Sequence, residues 1–232
     1  MKTGSAAWRQ LIIDGCALLG VDVLAEHVVQ FAAHAEEMEV WNRKVNLTAI
    51  ADPKEVAVKH YIDTLAAAPW IPPDALLLDI GSGAGFPGIP LKVVMPSLTV
   101  LLVDSSRKKV SFQRHVIRLL GLKQIQARHL RVEEMGHDSD FRQQFDVVIS
   151  RAFTDLESMV SVSQPLLKGG GAIIALKGRA ETENEIESTS EMLDNRLFSG
   201  LMPPEVTRYT LPYIPSERSI ISIKKEPVNP IG

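Results

Sequence analysis

The chain has 232 residues, enough for one sizeable domain with a small extension. Hydrophobic residues make up 45% and charged residues 23%, the balance of a soluble globular protein, and the net charge of −3 by itself argues against a polyanion partner. The single cysteine, Cys16, excludes an internal disulfide and a cysteine-rich metal site, and no apolar run approaches the roughly 18 residues of a membrane span.

At the N-terminus, Leu11-Ile12-Ile13 is cut short by Asp14, so no secretory core forms and a cytoplasmic protein is expected. Residues up to about Ala68 read as helical. Leu18, Val21, Leu24, Val28, Phe31, Ala35 and Met38 recur at three- and four-residue spacing, which predicts one buried helix face. Asp52 followed by Pro53 predicts a helix start, running through Val56, His60 and Leu65. His60 and Asp63 fall three apart on that helix and could pair with each other. Pro69, Pro72 and Pro73 then punctuate the chain, dividing a helical extension over residues 1–70 from a domain over residues 71–232.

Beyond Pro73, β-rich runs alternate with helical stretches. Strands are predicted at 76–80, 99–103, 124–127, 145–150 and 172–176, with helices at 107–120 and 156–167 between them. Such alternation implies an α/β fold with a mostly parallel sheet covered on both faces. Two last strands, 205–210 and 219–224, are joined by too short a link for a parallel return, so an antiparallel edge hairpin is expected.

The first strand runs into Asp79-Ile80-Gly81-Ser82-Gly83-Ala84-Gly85. Glycines here let a ligand lie against bare backbone, beyond the carboxyl end of the first strand. A tight turn with no ligand is the plain alternative. Three features go beyond it: the G-x-G-x-G spacing, Asp79 two residues before Gly81, and Asp104 closing the next strand, where it can accept hydrogen bonds from a ribose diol. The pattern resembles the first motif of class I methyltransferases, which bind S-adenosyl-L-methionine, more than a dinucleotide fingerprint. No Gly-Lys-Ser/Thr follows, which excludes a Walker A loop.

The chemistry narrows next. Methylation at pyrimidine C5 needs a cysteine nucleophile, and Cys16 lies far from every strand end in sequence. Exocyclic amine methylation typically uses an Asp/Asn-Pro-Pro-aromatic loop, but here the fourth strand ends in Ser150-Arg151-Ala152-Phe153. A ring nitrogen such as guanine N7 carries an exposed lone pair and needs placement, not a base.

Several further motifs accompany the loop: Trp41-Asn42 with Asn46-Leu47-Thr48, Lys59-His60 with Asp63, Phe86-Pro87-Gly88-Ile89-Pro90-Leu91, Leu102-Val103-Asp104-Ser105, Arg131-Val132-Glu133-Glu134 and Ala175-Leu176-Lys177-Gly178. Together they resemble the bacterial 16S ribosomal RNA guanine-N7 methyltransferases, the glucose-inhibited division protein B family, over residues 41–218. Glu217-Arg218-Ser219 departs from the family's more usual Glu-Arg-His. The resemblance implies a class I (Rossmann-like) sheet, S-adenosyl-L-methionine as cofactor, and a guanine N7 in the decoding-region loop of 16S rRNA, naked or in the small subunit, as target. It puts Gly81 and Phe86 against the cofactor, Val132 and Glu133 on its adenine side, and Arg151 at the closure of the site.

Asp79, Gly81, Gly83, Gly85, Phe86, Asp104, Val132, Glu133 and Arg151 are therefore the expected cofactor residues, with no general base or covalent nucleophile. Asp79 could equally brace the glycine loop, and Asp104 could cap a helix. Arg151 could form a structural salt bridge, though its place at a strand end suits the methionine carboxylate or an RNA phosphate. Residues 107–131 hold eight Lys/Arg and no acid, and residues 180–195 hold six acids and no base. Solvated helix faces explain such runs by default. Arg114 and Arg118, with Lys177 at the next strand end, are the candidates for rRNA contact. His115 and His129 read as surface residues, and no spacing suggests a metal. A small-molecule methyltransferase and a non-enzymatic cofactor- or nucleotide-binding module share these features and stand as the alternatives.

Overall fold

The computed structural model describes residues 1–151, 153, 155–178 and 200–227. Ala152 and the acidic run 180–195 lie outside the described residues. The N-terminal layer opens with α1 (Ala6–Leu18), whose N-cap Ser5 accepts a hydrogen bond from the Trp8 N–H. Gly20, at φ +72°, ends that helix, and α2 (Ala25–Asn42) follows. The expected single face over Leu18–Met38 is thus two helices. Leu18 and Leu24 flank the break and are 70% and 55% exposed, while Val28, Phe31, Ala35 and Met38 are buried. The periodicity crosses Gly20 by coincidence of spacing.

Asp52 caps the next rod as expected, accepting from the Glu55 N–H at 2.9 Å. The rod comprises α3 (Pro53–Val56), a π-helical stretch Ala57–Ile62, and α4 (Asp63–Leu65). The wider π turn carries His60 and Tyr61, and such bulges recur at functional sites.

Among the described residues, seven strands form one sheet in the order β3-β2-β1-β4-β5-β7-β6. In chain order the remaining elements are β1 (Leu76–Ile80), α5 (Gly88–Val94), β2 (Thr99–Asp104), α6 (Arg107–Leu119), β3 (Ile125–His129), α7 (Val132–Met135), β4 (Phe145–Ser150), α8 (Leu156–Ser163), β5 (Leu167–Gly178), β6 (Glu205–Thr210) and β7 (Glu217–Lys224). β1 to β5 pair in parallel. β7 pairs antiparallel to both β5 and β6, so the predicted edge hairpin is present. β5 starts five residues before the expected 172, because the helix from Leu156 stops at Ser163 and a 3-10 turn, Gln164–Leu166, carries Pro165.

Alternation along β1 sends side chains to two cores. Leu77 joins Trp8, Phe31, Tyr61, Ile89, Leu102, Phe112 and Ile220 on the face under the N-terminal helices. Leu78 and Ile80 join Val148, Leu156, Met159, Ile173 and Ile223 on the other. With both faces buried, the central strands can be apolar throughout. The reversal of strand order beside β1 leaves a crevice at the carboxyl ends of β1, β2 and β4.

Candidate functional site

The glycine loop is held from below and from the side. Gly81 and Ser82 donate their N–H groups to the Val103 carbonyl at 2.9 and 3.1 Å. The Gly83 N–H donates to Asp104 Oδ2 at 2.9 Å, and the other oxygen, Oδ1, accepts from the Ser106 N–H at 2.8 Å. Gln113 of α6 reaches in to donate to Ser82 Oγ and the Gly83 carbonyl at 2.9 and 2.8 Å. Ser150 at the end of β4 donates to the Ile80 carbonyl. Gly81 sits at φ +68° with nothing within 4 Å of where a Cβ would stand. That is bare backbone facing open space, which a ligand can approach. Gly85 instead leaves room for Ile89.

A cavity of about 150 Å³ opens beside the loop, lined by Gly81, Asp104, Ser105, Arg131, Val132, Glu133 and Phe153 among others. Thus Gly81, Asp104, Val132 and Glu133, expected together from sequence, do meet around one space. Val132 is buried and Glu133 exposed. A larger groove, about 500 Å³, lies on β1–β3 toward their amino ends, around Leu76, Gln126, Arg128 and Phe141. It is remote from the strand ends where α/β sheets bind ligands, so the smaller cavity is the candidate site.

Asp79 lies beneath this loop, not in the cavity. It is fully buried, and Oδ2 accepts the Gly88 N–H at 2.8 Å, holding the start of α5, while Oδ1 has no partner among the described residues. Burial pushes its carboxyl up to about 8; the Gly88 bond and Arg151 pull the other way, and Asp104 adds to the rise. Of its two sequence readings, bracing the loop is the one these contacts display.

Phe86 is buried too. Its ring is stacked between His34 and His60, with centroids 5.0 and 4.7 Å away and planes inclined by 27° and 15°. His34 Nε2 pairs with the Ala84 carbonyl at 2.8 Å, so that nitrogen carries the proton. Burial lowers the His34 pKa to about 4. His60 falls further, to about 2, because burial is joined by repulsion from Arg151. Arg151 lies over the Phe86 ring at 5.8 Å and donates through Nη2 to His60 Nδ1 at 2.8 Å. Its Nη1 is buried, with no hydrogen-bond acceptor among the described residues.

His60 and Asp63 do not pair with each other. Asp63 Oδ1 accepts from Tyr209 Oη at 2.8 Å and faces Arg218 Nε at 3.5 Å, so the edge hairpin claims it. His60 turns instead to Thr48 Oγ1, 2.9 Å from Nε2. The Trp41–Thr48 motif also acquires a local reason. Asn42 Oδ1 accepts the N–H groups of Leu47 and Thr48, and its Nδ2 donates to the Thr48 carbonyl, folding the loop back on α2.

The rRNA candidates separate. Arg114 and Arg118 are both exposed on α6, beside a groove shared with Gln126 and Arg128 of β3, and Arg114 Nε donates to the Ala127 carbonyl at 2.9 Å. Lys177 is buried and donates to the Phe153 carbonyl at 3.1 Å, so it serves the loop after β4 instead of an open surface. His115 pairs with Glu37 and His129 with the Ser105 carbonyl. Among the described residues no group of His, Cys, Asp or Glu could hold a metal ion.

Comparison with known proteins decides the family. A family model described as rRNA small subunit methyltransferase G matches residues 27–203. The chain belongs to that family. A ribosomal RNA small subunit methyltransferase G from Geobacter sulfurreducens is 41% identical over 214 residues, covering 92% of this chain and 96% of that protein. The protein of the same name from Geobacter sp. strain M21 is 42% identical, covering 93% and 96%. Among solved structures, TYW2 from M. jannaschii in complex with AdoMet matches the fold with TM-score 0.53 at 16% identity, over 72% of this chain and 75% of that one. This methyltransferase therefore has the class I sheet that its glycine loop announced.

Sequence reasoning missed His34 and Gln113. Each is a polar residue on a helix face otherwise apolar, beside Phe31 and Ala35 or beside Phe112 and Val116, and both are fully buried. A lone polar residue on a buried face needs a partner, and that was the available signal. Neither sequence position names the loop that supplies it.

Proposed function

We propose that this methyltransferase transfers a methyl group from S-adenosyl-L-methionine to N7 of a guanine in the decoding-region loop of 16S rRNA. The family assigns the class of substrate. The observation that supports the cofactor's place is the pairing of Gly81's open backbone with Asp104 around one cavity.

In this reading the Gly81–Gly85 backbone approaches the cofactor, Asp104 accepts from its ribose, and Val132 and Glu133 flank its adenine. Phe86 stiffens the loop from below. Arg151 meets the methionine carboxylate. S-adenosyl-L-methionine supplies the electrophilic methyl group. The chain's own task is placement, since guanine N7 offers its lone pair without deprotonation. Cys16 fits that division of labour. It is fully buried in α1, with its thiol pushed up to about 12, and cannot attack a pyrimidine ring. The neighbouring histidines stay neutral at physiological pH and leave the field to Arg151.

The partner is 16S rRNA or the small ribosomal subunit, and the setting is the cytoplasm. No helix among the described residues is long and apolar enough to cross a membrane. The test is transfer of a labelled methyl group to 30S subunits or 16S rRNA from a strain lacking the modification, followed by mapping of the nucleotide. Transfer to a small molecule without RNA, or cofactor binding with no transfer to any rRNA, would overturn the reading.

A further inference from the structure

The polar chain Thr48–His60–Arg151 fixes its own protonation pattern. A guanidinium can only donate, so the 2.8 Å contact from Arg151 Nη2 requires an unprotonated Nδ1 on His60. The His60 proton is then on Nε2, and it is donated to Thr48 Oγ1 at 2.9 Å. Thr48 Oγ1 also accepts the Ile50 N–H at 3.0 Å, so the hydroxyl that holds His60 is itself anchored. The imidazole is confined further by its stack on Phe86. The swing of Arg151 away from the loop is thus opposed by a series of contacts from the N-terminal layer.

Arg151 keeps one donor in reserve. Nη1 is buried and has no acceptor among the described residues. Asp63, the counter-charge that favours the guanidinium most, commits Oδ1 to Tyr209 and Arg218. A buried cationic N–H without a partner is costly unless a ligand oxygen meets it.

We infer that His60 and Thr48 are positioning residues for Arg151, holding its guanidinium so that Nη1 meets the carboxylate of the cofactor's methionine. The inference rests on the cofactor reading above. It adds that the Asn42–Thr48 loop, which does not line the cavity, sets the affinity of the cofactor site. His60 acts only as a neutral acceptor–donor pair, never as an acid or base.

Binding experiments separate this from a merely structural role. Calorimetry would compare S-adenosyl-L-methionine with its decarboxylated analogue in wild type, Arg151→Ala, His60→Leu, His60→Gln, Thr48→Val and the His60→Leu/Arg151→Ala double variant. Arg151→Ala is expected to weaken S-adenosyl-L-methionine about tenfold or more, and the decarboxylated analogue hardly at all, as for removal of one charge-assisted bond. His60→Leu should reproduce that selective weakening and add less than about twofold in the Arg151→Ala background. His60→Gln, whose amide can accept from Arg151 and donate to Thr48, should restore affinity to within about threefold.

Two failures are distinguishable. If Arg151→Ala binds both ligands like wild type, the carboxylate reading of Arg151 falls and the inference with it. If Arg151→Ala shows the selective weakening but His60→Leu and Thr48→Val retain wild-type preference for the carboxylate, or if the effects simply add, the positioning role alone is overturned. Nitrogen-15 NMR of the wild-type imidazole, which needs no variant, should show the neutral Nε2–H form at pH 6–8. The Nδ1–H form or a charged ring would refute the relay.

Discussion

Asp104 and Gly83 are joined by a 2.9 Å hydrogen bond from the glycine's N–H to the carboxylate, so the end of β2 clasps the loop that leaves β1. The same carboxylate carries the ribose in the proposed function. In that proposal one residue both shapes the loop and binds the ligand. Asp104→Ala should weaken S-adenosyl-L-methionine at least tenfold and lower stability by about 1–3 kcal/mol, from the abandoned N–H groups of Gly83 and Ser106. Calorimetric binding and denaturant melts would record the two effects separately. Unchanged affinity would remove Asp104 from the site.

Two glycines separate ligand approach from packing. Gly81 faces open space, so Gly81→Val should leave the protein folded, at a strain cost of about 1–2 kcal/mol for its left-handed backbone, while blocking the cofactor. At Gly88 a methyl group would stand 2.3 Å from Leu102 Cδ2 and 2.9 Å from Asp79 Oδ2. Gly88→Ala should therefore cost about 1–3 kcal/mol through overpacking. Thermal melts with and without cofactor distinguish the two: ligand stabilisation vanishes for Gly81→Val and persists for Gly88→Ala.

The buried titratable groups oppose one another with pH. Asp79 is raised from 3.8 to about 8, so its contribution is complete below pH 4 and disappears as pH rises to 8. His34 and His60 are lowered from 6.5 to about 4 and about 2, so theirs is complete above pH 6.5 and disappears on acidification. Only from about pH 7.5, where the histidines of the unfolded chain are already neutral, to 8 does the Asp79 slope dominate, at most about 1.4 kcal/mol per pH unit. Denaturant melts of the cofactor-free protein should show stability falling over that window. Asp79→Asn should flatten it, and an unaltered slope would show that Asp79 ionises normally.

The basic face of α6 is testable by salt. Arg118→Ala should weaken RNA binding and reduce the slope of log affinity against log salt by about 0.7–0.9 for each phosphate that the side chain neutralises, with cofactor affinity unchanged. Arg114→Ala should do the same and also cost about 1 kcal/mol, because its Nε holds the Ala127 carbonyl. Equal RNA affinity for both would make this an ordinary solvated face.

The sheet is legible in the sequence because its strands are apolar runs bounded by turn residues, and the loop because glycine spacing and strand-end acids are local signals. What escapes is set by distance in the chain. Nothing near His60 in sequence says that its partners are Thr48 and Arg151 rather than Asp63. Asp63 in turn waits for Tyr209, 146 residues later. Leu18 and Leu24 mislead for the opposite reason: a local rhythm continues through Gly20, where the helix itself does not. Lys177 shares a strand-end position with Arg151, yet burial and the Phe153 carbonyl divert it from the surface.

The long reach of these contacts bears on how the chain is made. Gly15, on the first helix, lies against Tyr213, and Asp63 is bonded by Tyr209. A ribosome releases the N-terminal helices long before the hairpin that completes their packing. During synthesis, Trp8, Phe31 and Tyr61 can find one another, but the layer they build stays open on one side until β7 emerges. Packing of the N-terminal layer thus waits on the hairpin, a contact that spans most of the described chain.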